Sequence, residues 1–418
     1  MTSADSTALF LDPHDPSFVA DPYSTLAQLR QFAPVHWSPP LRAWVVTRYD
    51  DVHAVLHDKQ LSADTVTPFY KAQPSDTQAK IASLMRYLGN WLVFKDPPDH
   101  TRIRNLTTRV FTSRALAPVR ANIEKISADL LCAMQPDTEI DLVATYSNPL
   151  PAYVIMDMLG MPRSLLPDMK RWSDEIKLFI GSARSVPDKY DRARAGVEAM
   201  ADAFRDVIED HRRRPREDVL SLLVEARDDD DGRLSDDELV ATCILFLFAG
   251  HETTTNLITM ASLHMMQRPA QRSRFLALES EAEIEAATEE FLRFDGPTPS
   301  MVRIAVQDHQ LGGQTIKAGE RIYAMIAAAN RDPEVFVRAD ELDIGRSAKR
   351  HYAFGYGTHF CLGAPLARLE AAIAIPALHR QFPRMQLTAD AVWADGMTLR
   401  GPVRLPVHLG PAFRPSSA

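Results

Sequence analysis

Cysteine is scarce in this chain: Cys132, Cys243 and Cys361 are all there is in 418 residues. Three cysteines cannot build a disulfide framework, and none has a cysteine or histidine partner at zinc-finger spacing. A disulfide-stapled secreted scaffold and a tetrahedral zinc site are therefore both disfavoured, and the chain reads as cytoplasmic. An excess of positive charge is also missing. Lys and Arg number 47 against 55 Asp and Glu, a net charge of -8, which gives nucleic-acid binding no support. Nor is there a long apolar run. The most apolar segment, Leu239 to Gly250, spans 12 residues before meeting His251 and Glu252, against the roughly 20 needed to cross a bilayer. Met1 to Asp12 has neither a basic start nor an apolar stretch, so a signal peptide or membrane anchor is not expected. Linkers rich in Gly, Ser or Pro and internal repeats are absent too, which predicts one mainly helical domain over residues 1–418, and the chain is expected to be a monomer.

What is present is mostly helical periodicity. Val35 to Leu56 alternates apolar and polar residues around Pro39-Pro40 and predicts a hairpin followed by a short helix. Apolar residues recur at helical spacing in Ile123 to Met134, Tyr153 to Leu159 and Val197 to Ile208. Arg212 to Arg216 and Asp228 to Asp231 read as a solvated helix end and a turn. Ser235-Asp236-Asp237-Glu238 has the spacing of a capping box and sits directly before the apolar run, so a long helix should start there. Midway along it lies Ala249-Gly250-His251-Glu252-Thr253-Thr254-Thr255. Glycine and β-branched residues weaken a helix, and a threonine hydroxyl can take the carbonyl one turn back, bending it. A weak spot in a core helix suggests a ligand against it.

Near the C-terminus, Phe354-Gly355-Tyr356-Gly357-Thr358-His359-Phe360-Cys361-Leu362-Gly363 places one cysteine after alternating glycines and before a helix-forming run, Ala364 to Ala374. Glycines there allow positive φ and close approach of the backbone to another surface. The start of the helix offers N–H groups and a positive dipole end to a thiolate. A lone soft anion so held suits an axial position on haem iron.

These ten residues resemble the haem-ligand signature of the cytochrome P-450 superfamily, F-G-x-G-x-H-x-C-x-G, at all six fixed positions. The weak spot matches that family's A/G-G-x-D/E-T pattern through Ala249, Gly250, Glu252 and Thr253. Glu290 and Arg293 match its E-x-x-R pair, with Arg346 completing a buried charge network. Asp96 to Arg104 resembles the start of the helix covering one haem edge. By this resemblance Cys361 is the axial iron ligand, Thr253 stabilises dioxygen at the iron and Glu252 relays protons. His100, Arg104, Arg303 and His359 would hold the haem propionates, with Arg102 turned to solvent. His251 falls at a variable position and is given no role as ligand or catalyst.

The resemblance implies a mainly α fold, a triangular helical prism with a small β-rich region and haem b (iron protoporphyrin IX) between two long helices. The implied activity is monooxygenation of a small apolar organic substrate with dioxygen. Electrons would come from a ferredoxin with a separate reductase, docking near Arg109, Arg114, Lys349 and Arg350. The pocket is expected among a Thr65–Trp91 loop, Leu178 to Ile180, Phe246, Ala249, Pro299 to Val302 and Met397. A peroxide-using peroxygenase and a non-catalytic binding protein of the same fold are the alternatives. The intact Glu252–Thr253 pair and Cys361 stand against them.

Overall fold

Amphipathic spacing turns most of the chain into helix. In the computed structural model, residues 9–180, 186–226, 232–347, 349–394 and 396–413 are described, without the side chains of residues 113 and 114. The expected turn at Asp228 to Asp231 lies outside them. Eleven helices frame the site: α1 Tyr49–His57, α2 Val66–Lys71, α3 Ser75–Leu88, α4 Asp99–Thr108, α5 Ser113–Ala133, α6 Pro149–Met158, α7 Leu166–Ile180, α8 Lys189–Arg213, α9 Asp236–Gln267, α10 Glu281–Asp295 and α11 Ala364–Gln381. The predicted helical stretches lie in α5, α6 and α8, with Arg212 and Arg213 ending α8 beside the solvent.

Most of residues 65–91 is helical as well, in α2 and α3, where a loop was expected. In α3, Ile81, Leu84, Met85 and Leu88 are buried at helical spacing. Pro68 sits in the first turn of α2 and Pro74 just before α3, places that tolerate proline.

The longest helix, α9, begins as its sequence predicts. Ser235 accepts from the Glu238 amide, and the Glu238 carboxylate accepts from the Ser235 amide at 2.9 Å. Its central turns are buried on nearly every side, which marks a helix enclosed by others. It packs against α6, α8 and α11. The approach of α6 is tight at Gly250, where an added Cβ would lie 3.1 Å from Ile155.

Beside the helices lies a sheet of five strands, β1 Val35–Ser38, β2 Ala43–Val46, β3 Leu61–Ser62, β4 Met301–Ala305 and β5 Arg321–Ala324, in the order β1-β2-β5-β4-β3. The β1–β2 hairpin pairs Trp37 with Trp44, and the short helix that follows it is α1. Strand β5 runs parallel to β2 and antiparallel to β4. Arg303 is thereby fixed opposite Ile322.

Candidate active site

Gly355 and Gly357 take φ of +70° and +68°, bending the chain so that Cys361 reaches the start of α11. A side chain at Gly355 would also come within 2.9 Å of Met301. The Cys361 amide donates to the Phe354 carbonyl at 2.9 Å, which fixes the thiol at the helix end. Burial pushes this thiol up, while the amides of Gly363 and Ala364 and the cations of Arg104 and Arg368 pull it the other way. Arg368 lies 4.5 Å over the Phe354 ring and pairs with Glu289 at 2.7 Å. It therefore braces the loop as well as supplying charge.

Four groups expected at the propionates converge from three segments. His100 on α4 and His359 of the cysteine loop bring their rings to 4.3 Å. Arg104, one turn beyond His100, donates to the Phe360 carbonyl at 2.8 Å. Arg303 on β4 is buried and donates to Val302 at 2.9 Å. Burial, then the neighbouring cations Arg303 and Arg104 and the imidazole of His100, bring His359 down to about 3. Burial and Arg104 likewise bring His100 down to about 4. Burial lowers Arg303, with Asp96 opposing. That carboxylate is itself engaged, accepting from Ser62 and from the Ala63 amide. His100 is buried with no hydrogen-bond partner at either ring nitrogen. A buried polar group so placed is costly without a partner, and a pair of ligand carboxylates matches this set of donors. The residues present fit a haem.

Arg102 departs from expectation. It is half-exposed and forms an ion pair with Glu238, because the capping carboxylate at the start of α9 faces α4.

On α9 the Thr253 hydroxyl donates to the Ala249 carbonyl at 2.8 Å, as its position suggests, and the helix stays continuous through this point. Glu252 is buried, and its Oε2 lies 2.6 Å from Lys177 Nζ of α7. Burial alone would raise this carboxyl, but the approach of His251 and the Lys177 ammonium bring it down to about 2. Lys177 also reaches Asp174 at 3.3 Å, a half-exposed carboxylate. Sequence reasoning missed Lys177 because no local spacing links it to Glu252. It also missed Glu370, on the buried face of α11, whose two oxygens have no hydrogen-bond partner. The one available hint was an acid amid an apolar helical stripe.

Glu290 and Arg293 form the expected pair at 2.7 Å, and Arg346 joins it at 3.0 Å. Arg293 also donates to the carbonyls of Asn330, Ala339 and Glu341, tying α10 to the segment that leads into the cysteine loop. Of the expected pocket residues, Phe179 meets Phe69 of α2 at 5.4 Å, and Ile180 accepts from Thr398 at 3.4 Å. Ser300 donates to Met397 at 2.7 Å, and Phe246 stands edge-on to Phe111.

The family model for cytochrome P450 matches residues 33–276 and 284–388. The 6-deoxyerythronolide B hydroxylase of Saccharopolyspora erythraea is 34% identical over 95% of this chain and 98% of its own. The vitamin D(3) 25-hydroxylase of Pseudonocardia autotrophica is 36% identical over 94% and 95%. The solved structure of P450BioI, in complex with an acyl carrier protein ligated to hexadec-9Z-enoic acid, superposes with a TM-score of 0.86. It is 32% identical, over 94% of this chain and 99% of that one. The chain belongs to the cytochrome P450 family and is a haem-dependent monooxygenase, requiring dioxygen and a redox partner. Among the described residues no helix is long and apolar enough to cross a membrane.

Proposed function

We propose that this enzyme inserts one oxygen atom into a small apolar organic substrate, with Cys361 as the residue that would hold the iron of haem b and a ferredoxin as electron donor. The observation that carries this reading is the convergence of His100, Arg104, Arg303 and His359 beside a thiol at a helix start. We infer further that the chain is a monomer, one haem domain throughout, and cytoplasmic, its described cysteines all being unpaired. The apolar substrate is supported by the aromatic contacts of Phe69, Phe179 and Tyr190.

When bound, haem supplies the activation of dioxygen and the oxidation of the substrate. The rest falls to the chain. Each turnover uses two electrons and two protons, and one oxygen leaves as water. Protons must therefore enter a site that otherwise excludes water. Glu252 can carry them, because its buried, ionised carboxylate is paired with Lys177, which reaches half-exposed Asp174, and Thr253 follows it in the chain. Thr253 can turn its hydroxyl from the Ala249 carbonyl to donate into the site while accepting from the relay. His100, Arg104, Arg303 and His359 orient the cofactor through its carboxylates.

Thr253→Ala tests this assignment. Product per electron consumed should fall several-fold with matching release of peroxide, while substrate binding is retained. Unchanged coupling of electrons to product would remove Thr253 from proton delivery. The Glu252–Thr253 pair also stands against a peroxide-driven reaction, which has no use for it.

A further inference from the structure

Neighbours in sequence on a helix do not ordinarily face each other, yet His251 Nε2 lies 3.4 Å from Glu252 Oε1. The imidazole is fully buried, with Nδ1 2.7 Å from the Leu247 carbonyl. A carbonyl oxygen only accepts, so Nδ1 carries the hydrogen. In a neutral ring that leaves Nε2 as an acceptor. It has no hydrogen-bond partner, and what it confronts is a carboxylate oxygen, another acceptor. Two buried acceptors in contact repel each other unless a proton lies on one of them. The other carboxylate oxygen is taken by Lys177 at 2.6 Å, which favours the ionised carboxylate and leaves the proton to Nε2.

The surrounding charges agree. Facing the pair from α7 are Lys177 and, beyond it, Asp174. At neighbouring positions of α9, Glu370 of α11 lies beside Thr254 and the apolar Ile155 of α6 packs against Gly250. With an imidazolium, the row Asp174, Lys177, Glu252, His251 alternates in sign and sums to zero. With a neutral ring it carries an uncompensated negative charge in a largely buried place. Asp174 at the far end is half-exposed, so the row leads from solvent to the Thr253 turn.

We propose that His251 is the proton-holding partner of Glu252, keeping on Nε2 a proton that the carboxylate takes and passes toward Thr253. This rests on the reading of Glu252 as the relay. The step breaks one N–H bond and forms one O–H bond on Oε1 as Glu252 swings off Lys177. No electrons move. The ring is left neutral with its Nδ1–H still on the Leu247 carbonyl, and water reloads it through the same carboxylate. His251 acts through Glu252, so it is a positioning residue rather than a catalytic one.

The test is 15N NMR of the histidine-labelled holoenzyme in its diamagnetic ferrous carbon monoxide form, with His251 assigned by its loss in His251→Gln. Both His251 nitrogens should be protonated at neutral pH, and Nε2 should lose its proton in Glu252→Gln. An Nε2 that stays unprotonated from about pH 5 to 8 would overturn the proposal. Coupling of electrons to product supplies the second readout. In His251→Phe it should fall several-fold and decline more steeply than the parent as pH rises, with substrate affinity and the carbon monoxide spectrum kept. A uniform loss, independent of pH, would mark His251 as merely structural and defeat the proposal. Glu252→Gln separates the two readings. Full coupling in that variant would sink the relay itself, whereas uncoupling in that variant together with a neutral His251 in the parent would sink only the role of the histidine.

Discussion

Glu370 shows how much one buried acid can report. Burial pushes its carboxyl up to about 8, and the nearby Thr254 hydroxyl, outside hydrogen-bonding geometry, only partly opposes this. The folded protein thus holds a proton that an unfolded chain releases near the ordinary 4.5. Its contribution to stability is complete below that value and is lost as pH climbs through about 8. Glu370→Gln removes the titration. The variant should match the parent in melting temperature near about pH 5 and exceed it by several degrees near about pH 8. A constant difference across that range would mean the carboxyl is not held neutral. At this scale legibility was uneven. Cys361, Thr253 and Glu252 stood out because their motifs are local in sequence. Lys177 and Glu370 act through space from other helices, so no spacing announced them. His251 was legible as a residue but not as a partner, since only the Leu247 carbonyl reveals which nitrogen is protonated.

Among the elements, α10 depends on a charge network with little solvent to relieve it. Glu290 and Arg293 are both almost fully buried, and Arg346 closes the group. Arg346→Ala leaves Glu290 with Arg293 as its one charged partner and the Asp343 amide beside it, and Glu290→Ala leaves two guanidinium groups facing each other. Breaking such a pair costs about 3–5 kcal/mol. Denaturant unfolding should show Glu290→Ala losing that much and Arg346→Ala losing less, with haem lost more readily in both. Equal, negligible losses would show the network to be dispensable. The start of α9 could be read directly, because a capping box is complete within four residues. The stretch Thr65 to Trp91 could not, since β-branched residues and prolines at helix entries look the same as those in a loop. Only burial of the Ile81–Leu88 stripe against the core decides.

For the molecule as a whole, the mainly helical class was evident from periodicity, and its architecture from the resemblance. The sheet was half visible. The β1–β2 hairpin follows from alternation, but pairing β2 with β5 joins segments far apart in sequence, and that register is set by tertiary contacts. At the surface, Lys349 and Arg350 are exposed near the cysteine loop, with Arg350 5.3 Å over Tyr356. Arg109 is exposed too, and the side chain of Arg114 lies outside the described residues. If an acidic ferredoxin docks here, Arg350→Glu should slow electron delivery at low salt, and the deficit should shrink as salt screens the charges. A deficit insensitive to salt would move the docking face elsewhere.

The central claim is that Cys361 binds haem iron as a thiolate. It is tested most directly by the absorption spectrum of the purified protein after reduction under carbon monoxide. A strongly red-shifted Soret band, lost in Cys361→Ser, is the predicted result. A Soret band at the ordinary position, or a shifted band that survives the substitution, would contradict it.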